Sequence, residues 1–439
     1  MLIINDLFTH TKPIVGRFLN HVLKMFLLLL SGLVVLFPYL LSAAESPTKS
    51  LTLREAIQRT FNHNPELQIF HYQLEAQQGR MLQAGLSPKP EVSLTIEDVL
   101  GSGDFNGFDN SQATLSVGWI LDQNIKDKRV KVAAHGKELI ESEKVIQQLD
   151  SATKTARYFL LTLSYQERAI IAKRAITLAE STVKEVNNRI KVGKTPLAEL
   201  YRAQAELAKR RLALDDVTHE LESSIRELAS QWGSSEPNFN SVSGKLISQP
   251  NVMNFNALKE QIKNNPNITK YLSIDRINEA KLKLAKEEDS PQWKFTTGLR
   301  RYERTDDFGI VAGVSIPFGG SNRNQGRIAE VKAKLSQNQA EADVLLLRIE
   351  TSLFIVYQQL EHSIHLSDSL KIDIIPKLEK ALTETRKAYE LGKYSYLEWL
   401  AVQNELLDAR LALLDASLST HLRKLELERL TGAQITSPF

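Results

Sequence analysis

Leu346-Leu-Arg-Ile-Glu-Thr-Ser-Leu-Phe-Ile-Val-Tyr-Gln-Gln-Leu360 lies within a stretch, Arg323 to Leu391, whose only proline is Pro376. Leu346, Leu353, Leu360, Ser367, Ile374 and Ala381 fall seven apart, and Ile349, Val356, Ser363 and Leu370 follow the first four at three residues. Such a double row is the apolar seam of a helix packed along its whole length against partner helices. Sustained over the stretch, it predicts a helix of roughly 100 Å at about 1.5 Å per residue. No compact enzyme domain accommodates that element. The chain is read either as a fibrous coiled coil or as a long helical barrel carrying short strands.

Residues 1–44 read as a secretory signal segment. Lys12, Arg17 and Lys24 supply a positive region, Met25 to Leu41 is almost wholly apolar, and Ser42-Ala43-Ala44 offers small residues for cleavage. Its removal takes away three basic residues and Asp6, so the formal charge falls from +3 to +1. Balanced, interspersed charge gives no case for nucleic acid as a partner. There is no cysteine, which excludes disulfides and a cysteine-borne lipid, so an exported chain of this kind depends on packing or assembly.

The chain is written twice. Leu51-Thr-Leu-Arg-Glu-Ala-Ile57 opens a helix, with Thr52 as cap and Glu55 three later, that carries Asn62-His-Asn-Pro65 and continues to about Leu86. About two hundred residues on, Phe255-Asn-Ala-Leu258 precedes Asn264-Asn-Pro-Asn267. Each short helix leads to a hairpin with period-two alternation. The first has Val92, Leu94 and Ile96, a loop from Gly101 to Asn110, then Leu115, Val117 and Trp119. The second has Trp293, Phe295 and Leu299, a charged loop from Arg300 to Asp307, then Phe308, Ile310 and Val314. Long helices follow over 126–191 and 323–391, end at glycine breaks, and return in helices with leucines at Leu200, Leu207, Leu214, Leu221 and Leu228, and at Leu400, Leu407 and Leu414.

The expected order is a signal peptide (1–44), an amino-terminal segment and first helix (45–86), a β-hairpin (87–122) and a long helical hairpin (123–232). A linker (233–253) joins it to a second short helix (254–290), β-hairpin (291–320), long helical hairpin (321–431) and tail (432–439). Four strands cannot close a barrel alone, and open sheet edges are sticky. Symmetric association of copies removes the edges. Apolar residues alternating with Ser93, Thr95, Thr114, Ser116, Lys294 and Thr296 suit a membrane barrel, with Trp119 and Trp293 as interface aromatics.

This duplicated plan resembles the outer-membrane efflux protein family, the TolC-like outer-membrane factors, and within it the heavy-metal efflux branch. The residues that carry the resemblance are Leu51 to Ile57 with Asn64-Pro65, their copy at Ala257 and Asn265-Pro266, Ile190-Lys-Val-Gly-Lys-Thr-Pro-Leu-Ala-Glu-Leu200, and Ala388-Tyr-Glu-Leu-Gly-Lys-Tyr-Ser-Tyr-Leu-Glu398. Together they span about residues 50–431. The resemblance implies an α+β chain forming a homotrimer. Twelve strands, four per chain, would make an outer-membrane β-barrel continued by a periplasmic α-helical barrel of coiled-coil hairpins.

By the same resemblance the glycine breaks meet a periplasmic adaptor joined to an inner-membrane pump. The contact set is Val192, Gly193, Lys194, Thr195 and Leu197 with Leu391, Gly392, Lys393, Tyr394 and Ser395. The alternative is that both are only helix caps whose lysines suit the carboxyl end. Glu398 matches acids that ring the closed end of the tunnel in family members, although Ala401 replaces a second acid found in some of them. Glu199, its counterpart in the first half, reads as part of a solvated helix face.

No nucleophile elbow, phosphate loop, dinucleotide fingerprint or zinc-protease motif is present, so no enzyme and no cofactor is expected. His362 and His365, three apart beside Glu361, lack a third fixed ligand and read as surface residues. The function that fits is passive conduction across the outer membrane, driven by a pump elsewhere. The alternatives are an exit duct for type I protein secretion and an exported structural coiled-coil protein of the envelope.

Overall fold

The computed structural model describes residues 50–248, 250–251, 253–318 and 323–435, all within one unit spanning residues 49–439. The expected signal segment lies outside the described residues. In chain order the elements are α1 (Leu53–His63), α2 (Pro65–Ala84), β1 (Glu91–Glu97), β2 (Gln112–Leu121), α3 (Gln123–Lys191), α4 (Leu197–Ser230), α5 (Phe255–Gln261), α6 (Pro266–Glu287), β3 (Trp293–Tyr302), β4 (Asp307–Ser315), α7 (Gln325–Asp368), α8 (Ile375–Glu390) and α9 (Tyr396–Thr431). The four-stranded antiparallel sheet and two long helical hairpins are those expected from the sequence.

The strands lie in the order β1-β2-β3-β4, and β1 and β4 each pair on one side only. The helices attached to them pack in the same order, α2 on α3, α3 on α6 and α6 on α7. Each strand is thus continued by a helix. Towards the far end α4 packs on α3, α3 on α9, and α9 on α7 and α8. So α4 takes over the track of α2, and α9 that of α6, while α3 runs through both levels. At 69 residues, α3 is roughly 100 Å long at about 1.5 Å per residue.

The splices explain the duplicated Asn-Pro words. A residue before proline is driven to extended backbone, so the expected continuous helix through Asn64 breaks into α1 and α2. Asn64 Oδ1 accepts from Glu66 N at 2.8 Å, and its Nδ2 donates to Gln231 O at 2.7 Å, just past the end of α4. Asn265 repeats this, accepting from Asn267 N at 2.8 Å and donating to Leu430 O at 2.8 Å in α9. One buried amide therefore caps the start of one helix and the end of another.

At this level lies a large buried cluster containing Leu51, Ile57, Ala152, Phe159, Leu163, Leu228, Phe239, Val242, Leu246 and Leu425. The segment 239–246 runs as a strap over α3 and α9. Leu51 N donates to Ser241 O at 2.9 Å, Ser243 N to Leu51 O at 2.8 Å, and buried His421 bonds Leu246 O through Nε2 at 2.9 Å.

Two further expectations are corrected. The pass from Arg323 to Leu391 is not one α-helix, because a π-helical segment, Ser369–Ile374, separates α7 from α8. Pro376 follows at the start of α8; it has no N–H to give Ile372 O and its ring crowds that carbonyl, and a π segment absorbs the mismatch. The second hairpin has a turn over 303–306 rather than a loop from Arg300, since β3 continues to Tyr302 and pairs with Asp307.

Candidate functional sites at the helical tips and on the sheet

Both long passes end in the same turn. After α3, Gly193 N donates to Ile190 O at 2.9 Å and Lys194 N to Arg189 O at 3.0 Å; after α8, Gly392 N donates to Tyr389 O at 2.9 Å and Lys393 N to Ala388 O at 2.9 Å. These are Schellman endings, and they require the left-handed φ of +73° and +74° that the two glycines adopt. Around them Val192, Leu197, Leu391, Tyr394 and Leu397 are large apolar side chains left exposed. Lys194, Lys393 and Ser395 are exposed too, and Thr195 is half-buried.

The two tips differ at the start of the returning helix. Before α4, Pro196 supplies no side-chain cap. Before α9, Ser395 Oγ accepts from Glu398 N at 3.4 Å, while the Glu398 carboxylate accepts from Ser395 N at 2.6 Å and Ser395 Oγ at 2.9 Å. That is a capping box. The Ser395 amide, first among the causes, holds the exposed Glu398 carboxyl below its usual range. Glu199 is not the solvated residue expected: it is half-buried and accepts from Tyr389 Oη at 3.3 Å.

Between the tips lies a cluster that motif reading did not single out. Arg189, only 9% exposed, donates to Glu390 O at 2.7 Å and Thr195 Oγ1 at 3.2 Å, with its guanidinium 4.6 Å from the Tyr389 ring centroid. Tyr389 in turn packs on Trp399, ring centroids 5.1 Å apart. Arg189 thus brings a cation from the first hairpin to the carboxyl end of α8 in the second, where the helix dipole favours it. Buried Tyr396 completes the cluster, and burial pushes its phenol up to about 12. Tyr396 and Trp399 follow Tyr389 at seven and ten residues, across the glycine break and one residue out of register with the rows before it, so the long seam did not point to them.

The sheet has two unlike faces. The paired rows Val92–Val117–Thr297–Ala312 and Leu94–Leu115–Leu299–Ile310 lie on one face with Ile96, Trp119, Leu121, Trp293 and Phe308. Their large apolar members are exposed. Trp119 and Trp293 both sit at the helical end of this face, each about 6.2 Å from the Phe295 ring centroid. The other face is polar: Ser93 bonds Ser116 at 2.8 Å, Lys294 reaches Glu91 at 2.6 Å, and Arg300 reaches Glu97 at 2.8 Å. Both ion pairs pass over β2. Gly118 makes room for one, since a Cβ there would meet Lys294 Cε at 3.2 Å.

Among the described residues no group of three or more His, Cys, Asp or Glu side chains is placed to hold a metal ion, and His362 and His365 are both exposed. No described helix is long and apolar enough to cross a membrane, a statement that does not bear on a β-barrel.

With this geometry in view, a family model described as outer membrane efflux protein matches residues 258–433. The cobalt-zinc-cadmium resistance protein CzcC of Cupriavidus metallidurans is 24% identical over 383 residues, 87% of this chain and 90% of that one. Among solved structures, CusC aligns with a TM-score of 0.63 at 16% identity, covering 87% of this chain and 92% of that one. The outer membrane protein VceC from Vibrio cholerae aligns at 0.62 and 18%, covering 88% and 97%. At such identities the structural likeness is one of fold.

Proposed function

We propose that this chain, which belongs to the outer membrane efflux protein family, the TolC-like outer-membrane factors, is the outer-membrane channel of a tripartite efflux system. Solutes handed over by a periplasmic adaptor and an inner-membrane pump pass through it to the exterior. The observation that carries this reading is the sheet, with one apolar face, one polar face and two open edges, each strand running on into a helix.

Cyclic association of three copies joins β4 of one chain to β1 of the next and leaves no edge among twelve strands. The apolar face then meets lipid and the polar face lines the passage. The same rotation brings edge helix α7, with Leu347, Phe354 and Ile355 exposed, against α2 of the next copy, with Ile69, Tyr72 and Leu82 exposed. Trp119, Phe295 and Trp293 fall at the periplasmic interface, where aromatic rings are favoured.

The tips are the proposed adaptor contact, because five large apolar side chains there have no cover within the chain. Glu398 is the proposed gate residue, three copies of its carboxylate meeting near the axis and drawing cations. The relative named for cobalt, zinc and cadmium resistance makes metal cations the first cargo to try, with small toxic molecules next. The purified protein in planar bilayers should give discrete, long-lived conductance steps. A preparation that inserts no conducting unit at any protein concentration would contradict the channel assignment.

A further inference from the structure

We propose that a cleft between α3, α7 and α9 binds multivalent anions, and that in the assembled channel it forms a positively charged collar on the conduit wall; the second clause rests on the channel reading. The cleft has a volume of about 630 Å³ and is lined by Lys154, Arg157, Arg423 and Arg429 against two carboxylates, Asp150 and Glu426. Both acids are already engaged. Arg429 is bound to Glu426 at 2.7 Å and approaches Asp150 at 3.6 Å. Lys154, Arg157 and Arg423 make no ion pair among the described residues, and the four cations exceed the two carboxylates, so the cleft keeps an excess of positive charge.

Helix geometry decides which way they point. Residues two apart on an α-helix are separated by about 200° around its axis. Lys154 is two residues from Ala152 and Ala156, Arg157 is two from Phe159, and Arg423 is two from His421 and Leu425. All five of those neighbours are buried on the side covered by α1 and the 239–246 strap. The three cations therefore face away from the strap, and in the channel reading that opposite face is the one three copies enclose. Two of them are guanidinium groups, whose planar forks match oxyanions in pairs of hydrogen bonds. An anion in the cleft also relieves the mutual repulsion of like charges. For the conduit, rings of Arg and Lys favour anions and oppose free cations, so a metal cargo would cross this level more readily as an anionic complex than as a bare ion.

Inorganic pyrophosphate is the probe. Equilibrium dialysis of the detergent-solubilised full-length protein at low ionic strength should show saturable binding, one per chain. Combining Lys154→Gln, Arg157→Gln and Arg423→Gln should weaken it at least tenfold, whereas Lys334→Gln, in an exposed pair with Glu330, should leave it unchanged. Arg157→Lys, which keeps charge without the fork, gives a folded variant with an intermediate loss. In bilayers pyrophosphate should reduce wild-type current but not that of the triple variant. Equal binding by wild type and triple variant, or none by either, overturns the site. Conductance indifferent to pyrophosphate overturns the collar, and a total lack of conductance counts against the channel reading while dialysis still decides the cleft.

Discussion

A Cβ built on Gly432 would lie 2.8 Å from Asn264 O and one on Gly233 3.3 Å from Pro65 Cγ, whereas at Gly193 it would meet nothing within 4 Å and at Gly392 only the Arg189 guanidinium at 3.7 Å. All four glycines end a long helix in the same turn, with φ between +71° and +74°. At the two Asn-Pro splices the turn is sealed by this chain's own Asn-Pro segments. At the two distal tips the same turn is open and ringed by exposed apolar side chains. The splices are thus packed within one chain, while the tips leave apolar side chains open to solvent.

Gly432→Ala tests the contrast with the largest expected effect. It combines a left-handed non-glycine with overpacking against backbone and should cost about 3 kcal/mol, against about 1 kcal/mol for Gly193→Ala. Thermal unfolding compares them, and equal losses would break the distinction. A bulky charged residue at Gly193 or Gly392 should instead block export while sparing membrane insertion, read by adaptor crosslinking and a resistance assay.

Asn265→Ala and Asn64→Ala should each lower stability by about 2 kcal/mol, since a cap and a carbonyl partner are lost together. Asn265→Asp keeps the acceptor but sets a carboxylate oxygen against Leu430 O at a buried site, so its loss should be at least that of alanine. An aspartate variant as stable as the wild type would mean that the bond to Leu430 O contributes nothing.

Arg189→Met should cost about 1 kcal/mol and act locally, speeding amide exchange at Leu391 to Tyr394 while leaving the splices protected. Spread of the faster exchange to the splices would show that tips and splices are not independent.

The smallest effect concerns Glu398. Its folded pKa is depressed, so the cap's contribution is present above the ordinary glutamate value of 4.5 and is lost as pH falls through the folded value. Exchange at Ser395 should rise only in that acid range. Glu398→Gln keeps an acceptor oxygen without charge, so it should retain part of the cap while changing cation selectivity under a salt gradient; Glu398→Ala should remove the cap as well. Unchanged selectivity in the glutamine variant would remove the gate role.

The long seam, the two hairpins and the glycine ends were legible because each repeats a local rule: period seven, period two, and a left-handed turn residue. The Asn-Pro words were legible as a duplication but not as splices. Their meaning depends on Gln231 and Leu430, more than 160 residues away, where pattern has no reach. The π segment was signalled by Pro376, yet the apolar spacing runs through it unbroken and masked it. At the tips Gly193, Lys194, Gly392 and Lys393 were visible as turn chemistry. Arg189 and Tyr389 were not, because what distinguishes them is a contact between two hairpins of opposite halves.

A closed conduit requires that the open edges of β1 and β4 be joined between chains. Imaging of detergent-extracted single particles reads this directly. Three copies around a central hole, with twelve strands continued by a helical tunnel, is the expected result. A stable monomer whose own β1 and β4 edges are closed by other parts of the same chain would contradict it.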